Sequence, residues 1–166
     1  PMRSELARTP SGQRRGSRKT SCWTATTRRP LTEFIRTGGC LCGGVRFRIH
    51  PPVRDVWVCH CSQCRRTSGH YWATTAVSLE RFELTELKTL RWFRSSATAR
   101  RGFCHSCGAS LFWHKNDSEQ MNVSAGSIDG PTDLLTERHI YLDDAGDYYQ
   151  IHPQELRTTG TEMDDN

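Results

Sequence analysis

Apolar residues are scarce in this 166-residue chain, at 35% of the total, and its mean hydropathy is −0.68. No apolar run approaches the roughly 20 residues that cross a bilayer as a helix, so a soluble protein is expected. The apolar core of a secretory signal peptide is also missing. So is a sustained helical stripe, with apolar residues recurring at i, i+3 and i+4. Residues 79–87 come nearest, yet they read equally well as strand and turn. Positive charge is not spread along the chain. The net charge is +5, but residues 1–36 alone carry +7 and the remainder −2. Without a basic patch on the body, a nucleic-acid partner is not expected there.

Three regions follow. Residues 1–36 form a basic, Ser/Thr-rich leader with too little apolar surface to offset its ordering entropy, and a mobile arm is expected. An irregular start, a transit-peptide-like leader and a basic arm for an anionic partner all fit it. Residues 37–152 change texture to short β-like runs broken by Gly, Asp, Ser and Asn. Val45, Phe47 and Ile49 alternate with Arg46 and Arg48, the period of a half-buried strand. Strands are also predicted at 56–58, 71–77, 90–93, 110–113, 121–124 and 139–142. The body is therefore read as mainly β, with a core too modest to stand without help. The aromatic residues Trp57, Tyr71, Trp72, Trp92, Phe93, Phe112 and Trp113 are expected in that core. Residues 153–166 read as an acidic, frayed tail.

Help is available in cysteine. Seven of the eight cysteines stand as Cys40-x-Cys42, Cys59-x-Cys61-x2-Cys64 and Cys104-x2-Cys107; Cys22, in the leader, is read as a bystander. Thiolates this close chelate one soft ion from a single turn of backbone, and zinc is the usual occupant. An even cysteine count could mean a secreted disulfide framework, but Cys-x-Cys pairs are too close to bridge each other. A reducing cytoplasm with metal-bound thiolates is the better reading. A closed structural zinc takes four ligands, and a reactive one keeps three with a position open. Gly43 and Gly44 after Cys42, and Gly108 after Cys107, let backbone N–H groups turn toward sulfur, which makes these two groups matched halves of one four-sulfur site. Spacing alone also allows Cys61/Cys64 with Cys104/Cys107, which would strand Cys40, Cys42 and Cys59. Ligand count favours the first division.

The stretch from about residue 38 to 151 resembles the glutathione-dependent formaldehyde-activating enzyme family, which includes the centromere protein V branch. The likeness rests on Gly39-Cys40-Leu41-Cys42-Gly43-Gly44-Val45, on the run from Cys59 through Gly69 (CHCSQCRRTSG), and on Phe103-Cys104-His105-Ser106-Cys107-Gly108. Ala125 to Asp129 and Arg138-His139-Ile140 match more weakly. The resemblance implies a β-tent of stacked antiparallel sheets. It implies a structural zinc on Cys40, Cys42, Cys104 and Cys107, and an exchangeable zinc on Cys59, Cys61 and Cys64, the catalytic group. The implied reaction joins glutathione and formaldehyde reversibly into S-(hydroxymethyl)glutathione, a carbon–sulfur lyase or synthase activity. A thiol-binding or zinc-exchange module without turnover is the alternative. Where many members show a Lys-x-Asp-Trp-Tyr-like stretch, this chain has Ala145-Gly146-Asp147-Tyr148-Tyr149.

Glutathione carries two carboxylates, and Arg is suited to fork onto them. Arg65 and Arg66 follow the third ligand, and Arg100 and Arg101 precede the second knuckle; solvated surface charge is the competing reading for each. Ser68 and Gly69 stand where a ligand's backbone could approach. His60, between two ligands, is expected to support them rather than to bind metal. His70, His105 and His114 are read as ordinary polar residues.

Overall fold

A computed structural model describes residues 34–152 of the chain. The reading of the acidic tail lies outside the described residues, as does that of the leader up to residue 33. The first strand opens at Arg36, inside the stretch read as leader.

Among the described residues, ten strands and one short α-helix make a mainly β protein of two stacked sheets. β1 (Arg36–Gly39), β2 (Arg46–Ile49) and β5 (Phe82–Glu86) form a three-stranded antiparallel sheet in the order β1-β2-β5. The larger sheet runs β10-β3-β4-β9-β8-β7-β6. Its members are β3 (Val56–Cys59), β4 (Trp72–Ser78), β6 (Leu90–Arg94), β7 (Ala99–Cys104), β8 (Ser110–Lys115), β9 (Gln120–Ser124) and β10 (Thr136–Ile140). All its pairings are antiparallel except β10 with β3, which run parallel and set Ile140 beside Cys59. Among the described residues no helix is long and apolar enough to cross a membrane.

The period-2 reading of residues 45–49 holds: Phe47 and Ile49 are buried and Arg48 is exposed. Strands at 56–58, 90–93, 110–113 and 121–124 also stand where expected, and the one at 71–77 begins at Trp72. The expected strand at 139–142 is displaced. β10 spans Thr136–Ile140, and Tyr141 at φ 58 ends it, after which Leu142–Asp144 forms a 3₁₀ turn. Residues 79–87 resolve into a 3₁₀ turn, Leu79–Arg81, followed by β5. β1 (RTGG) and β7 (ARRGFC) carry little apolar alternation, and it is pairing with β2 and with β6 and β8 that makes them strands.

The sheets meet through aromatic side chains. Phe47 of β2, Phe82 of β5 and Phe112 of β8 form a triangle with ring centroids 5.2 to 5.9 Å apart, two of its three contacts edge-on. Val45, Ile49, Val77, Leu90, Leu111, Met121 and Val123 complete the core around them. Gly102 of β7 leaves room for Phe112, since a Cβ there would stand 2.8 Å from its ring. Side chains alternate across a strand. The large sheet therefore turns Val77, Phe112 and Val123 toward this core, and Trp57, Thr74, Asn122, Trp113 and Arg101 to its opposite face. The expectation that the aromatics are all core is thus corrected. Phe112 is core, Trp57, Trp72 and Trp113 line a cavity on the other face, and Phe93 is 60% exposed.

Because Phe112 is wholly buried at the junction, Phe112→Ala is expected to cost about 3–5 kcal/mol, read as a lower urea midpoint at unchanged slope.

Candidate active site and metal centres

Cys40 follows β1, and Cys42 lies in the turn leading to β2; Cys104 ends β7, and Cys107 lies in the turn leading to β8. The two turns are built alike. Gly43 at φ 77 and Gly108 at φ 75 occupy left-handed positions that glycine alone takes without strain. The Gly43 N–H bonds the Cys40 carbonyl at 3.2 Å, and the Gly108 N–H bonds that of Cys104 at 2.9 Å. The four sulfurs lie within 4.8 Å of one another. Cys40 and Cys42 are 3.5 Å apart at sulfur, and Cys42 and Cys104 3.6 Å. These gaps are far too long for a disulfide. They match the edge of a tetrahedron about 3.8 Å on a side, as four thiolates about 2.3 Å from a zinc would make. The Val45 N–H donates to Cys40 Sγ at 3.2 Å, and the Thr89 hydroxyl lies 3.0 Å from Cys104 Sγ. Burial opposes charge on Cys104, yet the Thr89 hydroxyl and the N–H groups of Cys107 and Ser106 bring its pKa down to about 5. Donors of this kind stabilise thiolate ligands. Thr89 gave no signal in the sequence.

Cys59, Cys61 and Cys64 form a second group, their sulfurs also within 4.8 Å of one another. Cys59 ends β3, Cys61 caps the helix α1 (Ser62–Ser68) and Cys64 lies in its first turn. This helix is the one the sequence hid, because seven residues are too few to show a stripe. Its local signals are the Cys64 N–H on Cys61 Sγ at 3.4 Å and Gly69, left-handed at φ 81, closing its C-terminus. Hydrogen bonds from the thiols of Cys59 and Cys64 and from the Cys64 and Gln63 N–H groups hold the Cys61 thiol far below its ordinary range. The same sharing drives Cys59 upward. The structure thus groups the sulfurs as four and three. Thiolate donors at these spacings fit zinc in both places.

His60 is fully buried between its neighbours. Its Nε2 lies 2.9 Å from Nδ1 of His139 on β10, and its Nδ1 lies 2.6 Å from the Tyr149 hydroxyl. Burial first, then the nearby His139 and His70, lowers its pKa to about 4, so the ring is neutral at pH 7. Tyr149 thus braces the three-cysteine loop. His70, read as ordinary, lies against Tyr149 with ring centroids 4.4 Å apart and planes tilted by 31°.

A cavity of about 340 Å³ opens beside the three sulfurs. Cys59, Cys61 and Cys64 form part of its wall, with Trp57, Trp72, Trp113, Arg54, Arg101, Lys115, Asn122 and Tyr141 around them. Neighbouring strands supply matched positions: Arg101 pairs with Trp113, Trp113 with Asn122, and Trp72 with Cys59. Arg54 is fixed at its backbone, its N–H on the Ala76 carbonyl at 3.1 Å and its carbonyl accepting from the Thr75 hydroxyl. Its guanidinium lies over Trp57, 3.7 Å from the ring centroid. Burial lowers its pKa to about 10, which leaves it charged at neutral pH.

The remaining residues that the sequence singled out lie on the helix, at its end, or on β7. Arg65 Nε donates to the His60 carbonyl at 3.2 Å, and Arg66 is exposed. The Ser68 hydroxyl bonds the Cys64 carbonyl at 2.9 Å, and Gly69 is the helix cap. Arg100 is exposed and lies over Trp92, whereas Arg101 is buried. Arg54, Lys115, Asn122 and Tyr141 were missed, since scattered strand positions reach one cavity only through the sheet register.

Losing one sulfur from each group is expected to differ in effect. Cys104→Ser should lower the thermal midpoint by roughly 10 °C or more, because its centre ties the two sheets. Cys61→Ser should lower it by less than about 5 °C while removing one bound ion, read as zinc per chain.

The chain is similar to several known proteins. A Schizosaccharomyces pombe protein named as an uncharacterized lyase is 25% identical over 116 residues, 69% of this chain and 83% of its own length. A Halomonas elongata protein named as a putative glutathione-dependent formaldehyde-activating enzyme is 28% identical over 132 residues, 74% of this chain and 84% of its own. The crystal structure of a Rhodobacter sphaeroides protein aligns at TM-score 0.47 and 24% identity, over 58% of this chain and 93% of that one. The profile described as glutathione-dependent formaldehyde-activating enzyme matches residues 35–144, a span that holds both sulfur groups and the cavity wall, and the chain belongs to that family.

Proposed function

We propose that this protein is a zinc-dependent carbon–sulfur lyase of β-tent fold that makes and breaks the adduct of a thiol with an aldehyde. Glutathione and formaldehyde are the proposed pair. The observation that carries this reading is the placement of three sulfurs, those of Cys59, Cys61 and Cys64, in the wall of a 340 Å³ cavity lined by indoles and cations. That volume is in the range of small-ligand sites. A zinc ion held by the three would supply an open position where a substrate thiol ionises near neutral pH.

The chain's own residues do the rest in this reading. Arg54 and Lys115 hold carboxylates of the thiol substrate within the cavity. Trp57, Trp72 and Trp113 pack against its backbone and exclude water, which strengthens every charge interaction inside. Arg65, Arg66, Ser68 and Gly69 remain our proposed contacts to any part of the substrate that reaches past the helix. His60, braced by His139 and Tyr149, holds Cys59 and Cys61 in place. The names of the Halomonas and Schizosaccharomyces relatives support the same reaction class.

The rate of adduct formation from glutathione and formaldehyde, followed by exchange NMR against a no-protein blank, tests this. The wild-type protein should exceed the blank, and Cys61→Ser should lose roughly a hundredfold or more of the excess. A wild-type rate equal to the blank would leave a thiol-binding or zinc-exchange module.

A further inference from the structure

Two residues of the cavity wall carry buried hydrogen-bond donors that have no acceptor among the described residues. Arg101 is only 6% exposed, and its Nη2 touches Cys64 Sγ at 3.5 Å. Its Nε and Nη1 are buried with no hydrogen-bond partner among the described residues, and the same holds for Trp72 Nε1. Arg101 and Trp72 adjoin, the guanidinium lying 5.4 Å from the indole centroid, and both line the cavity. Leaving such donors unmet is costly, more so when they are charged, and a ligand oxygen is the acceptor that would relieve it. The guanidinium is a rigid fork. With one tooth on Cys64 Sγ, its remaining donors are held beside the sulfur group. The carboxylates of a tripeptide thiol stand many bonds from its sulfur, at the molecule's ends. The oxygen of a hydroxymethyl group stands two bonds from it, close to a fork that is itself held against Cys64 Sγ.

We propose that Arg101 is a catalytic residue that, with Trp72 Nε1, donates hydrogen bonds to the aldehyde oxygen as it becomes an alkoxide. The inference rests on the lyase reading above. In the forward step a sulfur lone pair forms the C–S bond while the C=O π pair moves onto oxygen. The alkoxide then takes up one proton from solvent, equal to the one the thiol released on ionising. In cleavage the proton leaves oxygen, the carbonyl re-forms and the C–S pair returns to sulfur. Charge develops on oxygen in both directions, where preorganised donors act most strongly.

The test uses the zinc-loaded, ¹⁵N-labelled protein and the Arg101 Nε–H resonance, assigned by its loss in Arg101→Lys. Glutathione mixed with formaldehyde, which forms the adduct without enzyme, should move this resonance downfield; glutathione alone or formaldehyde alone should leave it in place. Alongside, Arg101→Gln should lower kcat roughly a hundredfold, with the glutathione KM within about threefold and zinc per chain unchanged. A resonance that glutathione alone moves as far would make Arg101 a carboxylate anchor and overturn the proposal. Loss of zinc in Arg101→Gln would overturn it too, by making the residue a support for Cys64. Wild-type turnover above the blank with an unmoved resonance sinks the role of Arg101 alone. Turnover equal to the blank sinks the lyase reading, and this role with it.

Discussion

The join between the tips of two hairpins governs this molecule. Cys40 and Cys42 stand at the tip of β1–β2, Cys104 and Cys107 at the tip of β7–β8, and the four sulfurs meet. Those hairpins belong to different sheets, so an ion bound there would fasten the small sheet onto the large one. It would act beside the Phe47–Phe82–Phe112 triangle and the core around it. Metal binding would then contribute directly to folding. The glycines at positive φ and the N–H groups aimed at sulfur are local consequences of that requirement.

With the sheets fixed, the pleat divides the labour of the larger one. One face buries Phe112 and Val123 against the small sheet. The other carries Trp57, Trp72, Trp113, Asn122 and Arg101 into the cavity. Cys59, Cys61 and Cys64 sit at the border of that second face, where β3 gives way to α1 and the parallel strand β10 brings His139, and Tyr141 just past its end, alongside. Sheet, helix and the His60–Tyr149 contact bound the three-sulfur group on three sides. Supports of this kind hold the side chains of a site in place.

Much of this was legible in the residues. The cysteine spacings and the glycines after them pointed to the four-and-three grouping, and strict alternation marked β2. What stayed hidden has physical reasons. The helix α1 is shorter than the window in which a stripe can be seen. β1 and β7 are strands because of their partners, with Arg-Thr-Gly-Gly offering no pattern of its own. The cavity is assembled from alternate positions on β3, β4, β7, β8 and β9, and only the register tells which alternate positions meet. Arg101 shows this most clearly: beside Arg100 in sequence the two look alike, yet the pleat sends one to solvent and the other to Cys64.

The central claim is that the seven sulfurs hold two ions unequally, one enclosed and one open to an incoming thiol. Native mass spectrometry of the purified protein, before and after glutathione is added, measures it directly. Two zinc ions per chain are expected, of which glutathione binds or draws off one and leaves the fold intact. A single ion per chain, or two that glutathione neither displaces nor contacts in a cobalt-substituted spectrum, would contradict it.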